Sequence, residues 1–368
     1  MRFTNESGLP AAWTVGFERD GREMLIVIAK ATYALPLAGK ATEMAPEQVS
    51  LVEADTFYGE PGLSAPMYET DFAHRKGSCD VLLIGSAYAP HGEPAKEVTV
   101  GLAVGPVNKQ FRVLGYRAWY KGAFGLASTA PQPFTVQPIS YDVAFGGTDR
   151  TDEHNGRIET YLPNPVGKGY WRHHGHIDGQ PLPNTEELQR PVSNPEGPFV
   201  PMAFSPLGRA WTPRNAYAGT YDQNWMENEA PFWPADFDHR YFQAAPVDQI
   251  MPYPRGGEVV TLRNLTPEGE TVFRLPERLI SITFMPHKGR DVTLHANIDT
   301  IVLEPDCGRF TLTWRANLRL GKSIFDVKET LIGDRSRAWH RARRSAGMLY
   351  FENLDQAVRH RRARRSQR

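Results

Sequence analysis

Two groups of side chains in this chain have the types and spacing to do chemistry. His173-His174-Gly175-His176 places three imidazoles within four residues, the ligand type that zinc accepts when a loop aims them at one point. Such sites also draw on carboxylate or cysteine partners, and the sequence places none beside this loop. A solvated or hydrogen-bonded loop is therefore the expected role, and no metal ligands are assigned. Asp222, Glu227, Glu229, Asp236 and Asp238 crowd a short stretch holding Trp225 and Trp233, with His239 next. Paired carboxylates beside indoles are what a glycosidase uses, one as acid and one as base or nucleophile. The same residues in proline-rich loops cap turns by accepting otherwise unpaired backbone N–H groups. Asp142, Asp149, Asp222 and Asp248 stand at turn-like positions and are read as loop caps.

Other motifs fail on inspection. Gly321-Lys322-Ser323 imitates the end of a phosphate-binding loop, but the required first glycine is Ala316 and the flanks read as strand. Gly146-Gly147 lacks the third glycine and following helix of a dinucleotide site. No Gly-x-Ser-x-Gly elbow and no His-Glu-x-x-His helix occurs, so no catalytic or cofactor-binding residue is assigned and no cofactor is expected. Two cysteines, Cys79 and Cys307, cannot build a disulfide framework and are expected to be small buried residues in a reducing cytoplasm. Residues 1–12 show no signal-peptide core, and the apolar run 24–29 is too short to span a bilayer. The expectation is a cytoplasmic protein without a membrane partner.

The net charge of zero conceals an asymmetry. From Arg335 to Arg368 there are eleven arginines against Glu352 and Asp355, or +9, leaving the rest at −9. That tail, ending Arg359-His360-Arg361-Arg362-Ala363-Arg364-Arg365, could meet an acidic surface. Apart from Trp339 near its start, its only interleaved aromatics are Tyr350 and Phe351, so base stacking has little to work with and nucleic acid is not the expected partner.

The elements that must position these residues are strands. Residues 24–35 form a continuous apolar run that then alternates, as a buried strand does; 80–88, 96–104 and 109–119 follow at short spacing. The pattern returns after Pro254 with 258–265 and 270–275 around the turn Thr266-Pro267-Glu268-Gly269, then 279–285, 291–296, 300–304, 309–319 and 323–331. In Phe310-Thr311-Leu312-Thr313-Trp314 the alternation reads as a half-solvated strand. No helix is expected before residue 335; from Ser336 onward Trp339, Ala342, Ala346 and Tyr350 recur at helical spacing, continued by Phe351, Leu354 and Val358. Between the two β regions lie fifteen of the thirty prolines and four of the eight tryptophans. Disordered linkers are poor in aromatics, so this is read as an ordered looped segment packed on a scaffold, where function usually resides.

The fold class expected is mainly β: an antiparallel sandwich or partly open barrel with a long ordered looped insertion and a short basic helical tail. The divisions are 1–139, 140–255, 256–334 and 335–368, with the two β regions forming one interlocked body.

Read as words, the middle segment carries an ordered series. It runs from Ser140-Tyr141-Asp142-Val143-Ala144-Phe145-Gly146-Gly147-Thr148-Asp149 through Asn164-Pro165-Val166-Gly167-Lys168-Gly169-Tyr170 and Leu182-Pro183-Asn184. Phe204-Ser205-Pro206, Trp211-Thr212-Pro213-Arg214 and Ala218-Gly219-Thr220-Tyr221-Asp222 follow, then Trp233-Pro234-Ala235-Asp236-Phe237-Asp238 and Ala245-Pro246-Val247-Asp248-Gln249. The series resembles the bacterial domain-of-unknown-function family 2169, accessory proteins encoded with type VI secretion systems, over roughly residues 1–330. The resemblance implies a non-enzymatic adaptor or chaperone that loads a toxin effector onto the spike tip protein and its PAAR-type cone. The basic tail does not match the family's pattern. A carbohydrate-active or other hydrolase using the 222–239 carboxylates, or a structural part of the secretion apparatus, stand as alternatives. Trp171, Arg172, Trp211, Arg214, Trp225 and Trp233 are the candidate partner-binding residues, because tryptophan and arginine dominate binding energy at interfaces.

Overall fold

The computed structural model describes residues 1–36, 40–123, 125–335, 339, 351 and 354–365. The long apolar run becomes the strand Glu23–Ala34. It pairs antiparallel with Arg309–Arg319 on one side and with Ala11–Phe17 on the other. Asn297–Glu304, Cys79–Leu83 and Ile250–Met251 complete a six-stranded sheet. A five-stranded sheet runs Thr185–Glu186, Val107–Leu114, Glu97–Val104, Val259–Arg263 and Glu270–Arg274. A four-stranded sheet runs Arg2–Asn5, Val327–Ile332, Ser281–Pro286 and Val292–His295. The protein is thus mainly β, with open sheets in a sandwich-like arrangement. Strands from both sides of the middle segment share sheets, Glu23–Ala34 with Arg309–Arg319 and Glu97–Val104 with Val259–Arg263.

Two pairings in the large sheets depart from the antiparallel expectation, beside a two-residue parallel pairing of Phe145–Gly146 with Lys168–Gly169 in the middle segment. Cys79–Leu83 lies parallel to Asn297–Glu304, and Arg2–Asn5 lies parallel to Val327–Ile332. Each joins segments more than two hundred residues apart, where no hairpin dictates direction. The run 80–88 also divides, because Gly85–Tyr88 leaves the large sheet to pair with Val136–Ile139.

Glu23–Ala34 is apolar throughout because both its faces are covered. Leu25, Val27 and Ala29 enter the main core with Val100, Leu102 and Phe111 of the five-stranded sheet and Ile282 and Phe284 of the four-stranded one. Met24, Ile26 and Ile28 face the other way and meet Leu51 and Phe72. Farther along that second face the sheet turns polar yet stays dry. Lys30 pairs with Asp71 at 2.6 Å, Lys76 with Asp80 at 2.7 Å, and Arg315 with Asp299, all six side chains being buried. The alternation in Arg309–Arg319 therefore does not mark a solvated face. Thr311, Thr313 and Arg315 are buried, and Arg315 Nη1 donates to the carbonyls of Asp71 at 2.8 Å and Ala73 at 3.0 Å. Polar side chains here replace water as partners of the covering segment.

Two smaller expectations are corrected, and the helical tail is found. A short α-helix, Gln223–Asn228, precedes residue 335, started by an Asp222 cap on Trp225 N. Cys79 is buried, but Cys307 is exposed in the turn Pro305–Cys307. In the tail, Trp339 is buried against Met285 and Leu331, and a helix covers Leu354–Arg365 with Leu354 exposed. Ala342, Ala346 and Tyr350 lie outside the described residues.

Cutting one partner from a buried ion pair strands the other charge in a dry site. Asp299→Ala is expected to lower unfolding stability by about 3–5 kcal/mol in urea titration, because Arg315 keeps its place between two strands without its carboxylate.

Candidate protein-binding surface

The middle segment has almost no ladder of its own, so its backbone groups must find side chains. Asp149 serves three of them and one side-chain hydroxyl. Its Oδ1 accepts from Thr151 N at 2.9 Å and Thr151 Oγ1 at 2.5 Å; its Oδ2 accepts from Arg172 N and His173 N at 3.0 Å each. Burial opposes its ionisation, but these hydrogen bonds outweigh burial and hold its carboxyl far below the usual range. Asn164, fully buried, donates through Nδ2 to the carbonyls of Tyr141 and Phe145 at 2.8 and 3.0 Å. Gly146 sits at φ +151°, where a Cβ would lie 2.2 Å from the Asn164 carbonyl oxygen, so the loop closes only on glycine. Gln249 Nε2 donates to the carbonyls of Val81 and Phe204, and Gln243 Nε2 to Asp80 Oδ1, tying the end of the segment to the large sheet.

The remaining caps divide. Asp222 accepts from Trp225 N at 2.9 Å, a local cap. Asp142 accepts from Ala65 N at 2.8 Å, a partner 77 positions away. Asp248 binds a side chain where a backbone cap was expected, accepting from the buried Lys109 Nζ at 3.2 Å.

The partner-binding candidates also divide, and two are corrected. Arg214 is 3% exposed. Its Nε donates to the Tyr241 carbonyl at 2.9 Å, Nη1 to the Leu207 carbonyl at 2.7 Å, and Nη2 pairs with Glu69. Trp211 is buried edge-on against Tyr141 at 5.5 Å. Both hold the loops together and offer a partner nothing. Trp171 is half-buried against a second aromatic cluster containing Trp119, Phe145 and Phe199. Arg172 is exposed and paired with Glu196 at 3.0 Å. Trp225 and Trp233 are half-buried; Trp233 lines a surface that Trp225 supports through Tyr221.

That surface is a groove of about 840 Å³ between the end of Ala11–Phe17 and the 218–242 loops. Trp233 stacks on Phe237 at 4.5 Å and meets His74 edge-on at 4.7 Å. Trp225 packs edge-on against Tyr221 at 4.7 Å, and its Nε1 donates to the Phe232 carbonyl at 2.8 Å. Of the groove-lining residues, Phe17, Tyr221 and Phe232 are exposed apolar side chains. Sequence reasoning missed His74 and Phe72, which line the groove from a segment 140 or more residues before the loops; no local pattern connects them.

Neither carboxylate of the hydrolase alternative has the environment of a general acid. Asp236 accepts from Thr220 N at 2.9 Å and Thr220 Oγ1 at 2.8 Å, which lower its pKa. Asp238 is lowered by hydrogen bonds from the Arg240 guanidinium and amide. An acid catalyst near neutral pH needs the opposite shift. His173 Nδ1 faces Asp149 at 3.0 Å while His174 Nε2 faces Glu196 at 3.2 Å, so the histidine run is split between two carboxylates. Among the described residues no three metal-ligating side chains converge.

The sequence profile of a bacterial family, described as an uncharacterized protein conserved in bacteria, matches residues 20–315. The chain belongs to family DUF2169. The matched span opens just before the strand Glu23–Ala34 and closes at Arg315, leaving out Asn5-Glu6-Ser7 and the basic tail. No curated protein and no solved structure matches this DUF2169 chain.

Burial here makes two measurable demands. Arg214→Glu places two carboxylates together in a dry site, so it is expected to destabilise the whole body by more than about 3 kcal/mol in urea rather than weaken binding alone. His74 is pushed down to about 4, first by burial and then by His239 and Arg75 beside it. The unfolded chain takes up that proton near pH 6.5, so stability falls as pH drops from about 6.5 to about 4, by on the order of 3 kcal/mol. His74→Leu is expected to flatten that limb of the urea-midpoint profile against pH.

Proposed function

We propose that this protein is a non-enzymatic adaptor that binds a toxin effector and helps place it on the spike tip protein and PAAR-type cone of a type VI secretion system. The link to secretion rests on the resemblance of the ordered words between Ser140 and Gln249 to the accessory proteins of that system. The observation that carries a binding role is the aromatic groove and its exposed lining of Phe17, Tyr221 and Phe232, held on loops fixed by buried polar side chains. A rigid apolar patch of this kind binds without first ordering itself. No helix among the described residues is long and apolar enough to cross a membrane. The adaptor would act in the cytoplasm, before the spike leaves.

Co-expression with the neighbouring effector, spike and cone proteins tests the reading. A stable complex is expected to co-purify, and Tyr221→Glu with Phe232→Glu to weaken it by roughly tenfold or more while the melting temperature holds. Asp236→Asn with Asp238→Asn is expected to leave delivery intact. Turnover of a glycan or ester by the purified chain, abolished by that double substitution, would establish the hydrolase instead.

A further inference from the structure

The three large sheets end in six edge strands. Thr185–Glu186 and Ile250–Met251 have two residues each; Glu270–Arg274, Arg2–Asn5 and Val292–His295 carry charged or titratable side chains. Short or charged edges are how β proteins prevent unwanted pairing. Ala11–Phe17 is different: seven residues, Ala-Ala-Trp-Thr-Val-Gly-Phe, with no charge and no proline. Among the described residues no strand continues the sheet beyond it.

The hydrogen-bond register says which of its backbone groups point outward. Lys30 N donates to the Pro10 carbonyl at 2.9 Å and Glu18 N to the Arg22 carbonyl at 2.8 Å, bracketing the ladder with even-numbered pairs. Antiparallel pairs alternate between bonded and non-bonded, so Ala12, Thr14 and Gly16 bond inward. Ala11, Trp13 and Val15 then present their N–H and C=O groups away from the sheet. Trp13, 38% exposed, stands in the middle of this row.

The groove lies on the face of the even residues. Gly16 lines it, and a Cβ on Gly16 would meet His74 Cδ2 at 2.2 Å. An added strand would therefore hydrogen-bond to Ala11–Val15 and send alternate side chains toward Phe232, Trp233 and Phe237. A second copy of this chain fits poorly. Outward-pointing groups must pair with outward-pointing groups, so two-fold pairing sets odd residues opposite odd ones. It would bring only Ala12, Thr14 and Gly16 to the groove, too little to fill about 840 Å³.

We propose that the Ala11–Phe17 edge receives an extended segment of a partner protein by β-strand addition, with large apolar residues at every second position filling the adjacent aromatic groove. The proposal rests on the adaptor reading for its biological partner but not for its chemistry.

The probe is a fluorescein-labelled peptide, Lys-Thr-Leu-Thr-Phe-Thr-Leu-Thr-Lys, with two further versions N-methylated at alternate amides on one edge or the other. Saturable binding of the parent is expected, with one methylated version retaining it and the other losing it. Val15→Pro removes an outward N–H and no ladder bond, so it is expected to fold and to bind roughly tenfold or more weakly. Trp13→Lys is expected to do the same by charging the edge. Should either variant fail to fold, the contrast between the two methylated peptides on the unaltered protein decides. No saturable binding, equal binding of both methylated versions, or a dimer in sedimentation that Val15→Pro dissociates would each overturn the proposal. An effector that co-purifies undiminished by Val15→Pro also sinks strand addition while sparing the adaptor. Peptide binding with no co-purifying effector does the reverse.

Discussion

Glu23–Ala34 is buried on both faces, and a two-sided strand inside a large sheet needs two covers. One cover is the pair of smaller sheets, which supply the main apolar core. The other is irregular chain, residues 44–76 with parts of 205–254. An irregular cover cannot satisfy its own backbone groups, so the sheet beneath it carries Lys30, Asp80, Asp299, Thr313 and Arg315 toward it. Ion pairs and side-chain bonds to carbonyls do there what a ladder does elsewhere. Their net contribution to stability is small compared with the cost of breaking them, which makes them locks rather than a driving force.

The same logic governs the middle segment. Asp149, Asn164, Arg214 and Gln249 each serve two or more groups from chain positions far apart. Aromatic clusters around Phe145 and Trp233 supply the apolar area. A proline-rich chain fixed this way loses little further freedom when it meets a partner, and the ordering entropy that weakens flexible interfaces has already been spent in folding. Fully engaged carboxylates follow from this role. Asp149, Asp236 and Asp238 all cap backbone N–H groups, Asp238 also pairs with Arg240, and lowered pKa values accompany that work.

The groove and the open edge reinforce each other. An edge strand alone offers affinity without selectivity, since every peptide has the same backbone; the adjoining pocket reads side chains. His74 couples the two. It packs against the Gly16 face of the strand and against Trp233 of the loop, and a charged imidazole there would face Arg75 and Arg315 in a dry site.

Much of the fold was readable in the residues alone. Period-two alternation and turn residues located the principal strands to within a few positions, because half-buried strands and tight hairpins are governed by neighbours in the chain. The aromatic content of the proline-rich segment marked it as ordered for the same reason. Asp222 could be read as a cap because its acceptor role is local. What depended on distant residues was hidden. Thr311, Thr313 and Arg315 looked solvated because alternation reports polarity, not the presence of water. Arg214 and Trp211 looked like binding residues because residue type does not reveal which face of a loop is covered. The parallel pairings, the meeting of His74 with Trp233 and the open edge at Ala11–Phe17 were decided only when strands hundreds of positions apart came together. Burial and the freedom of an edge are properties of the assembled chain, and no local pattern encodes them.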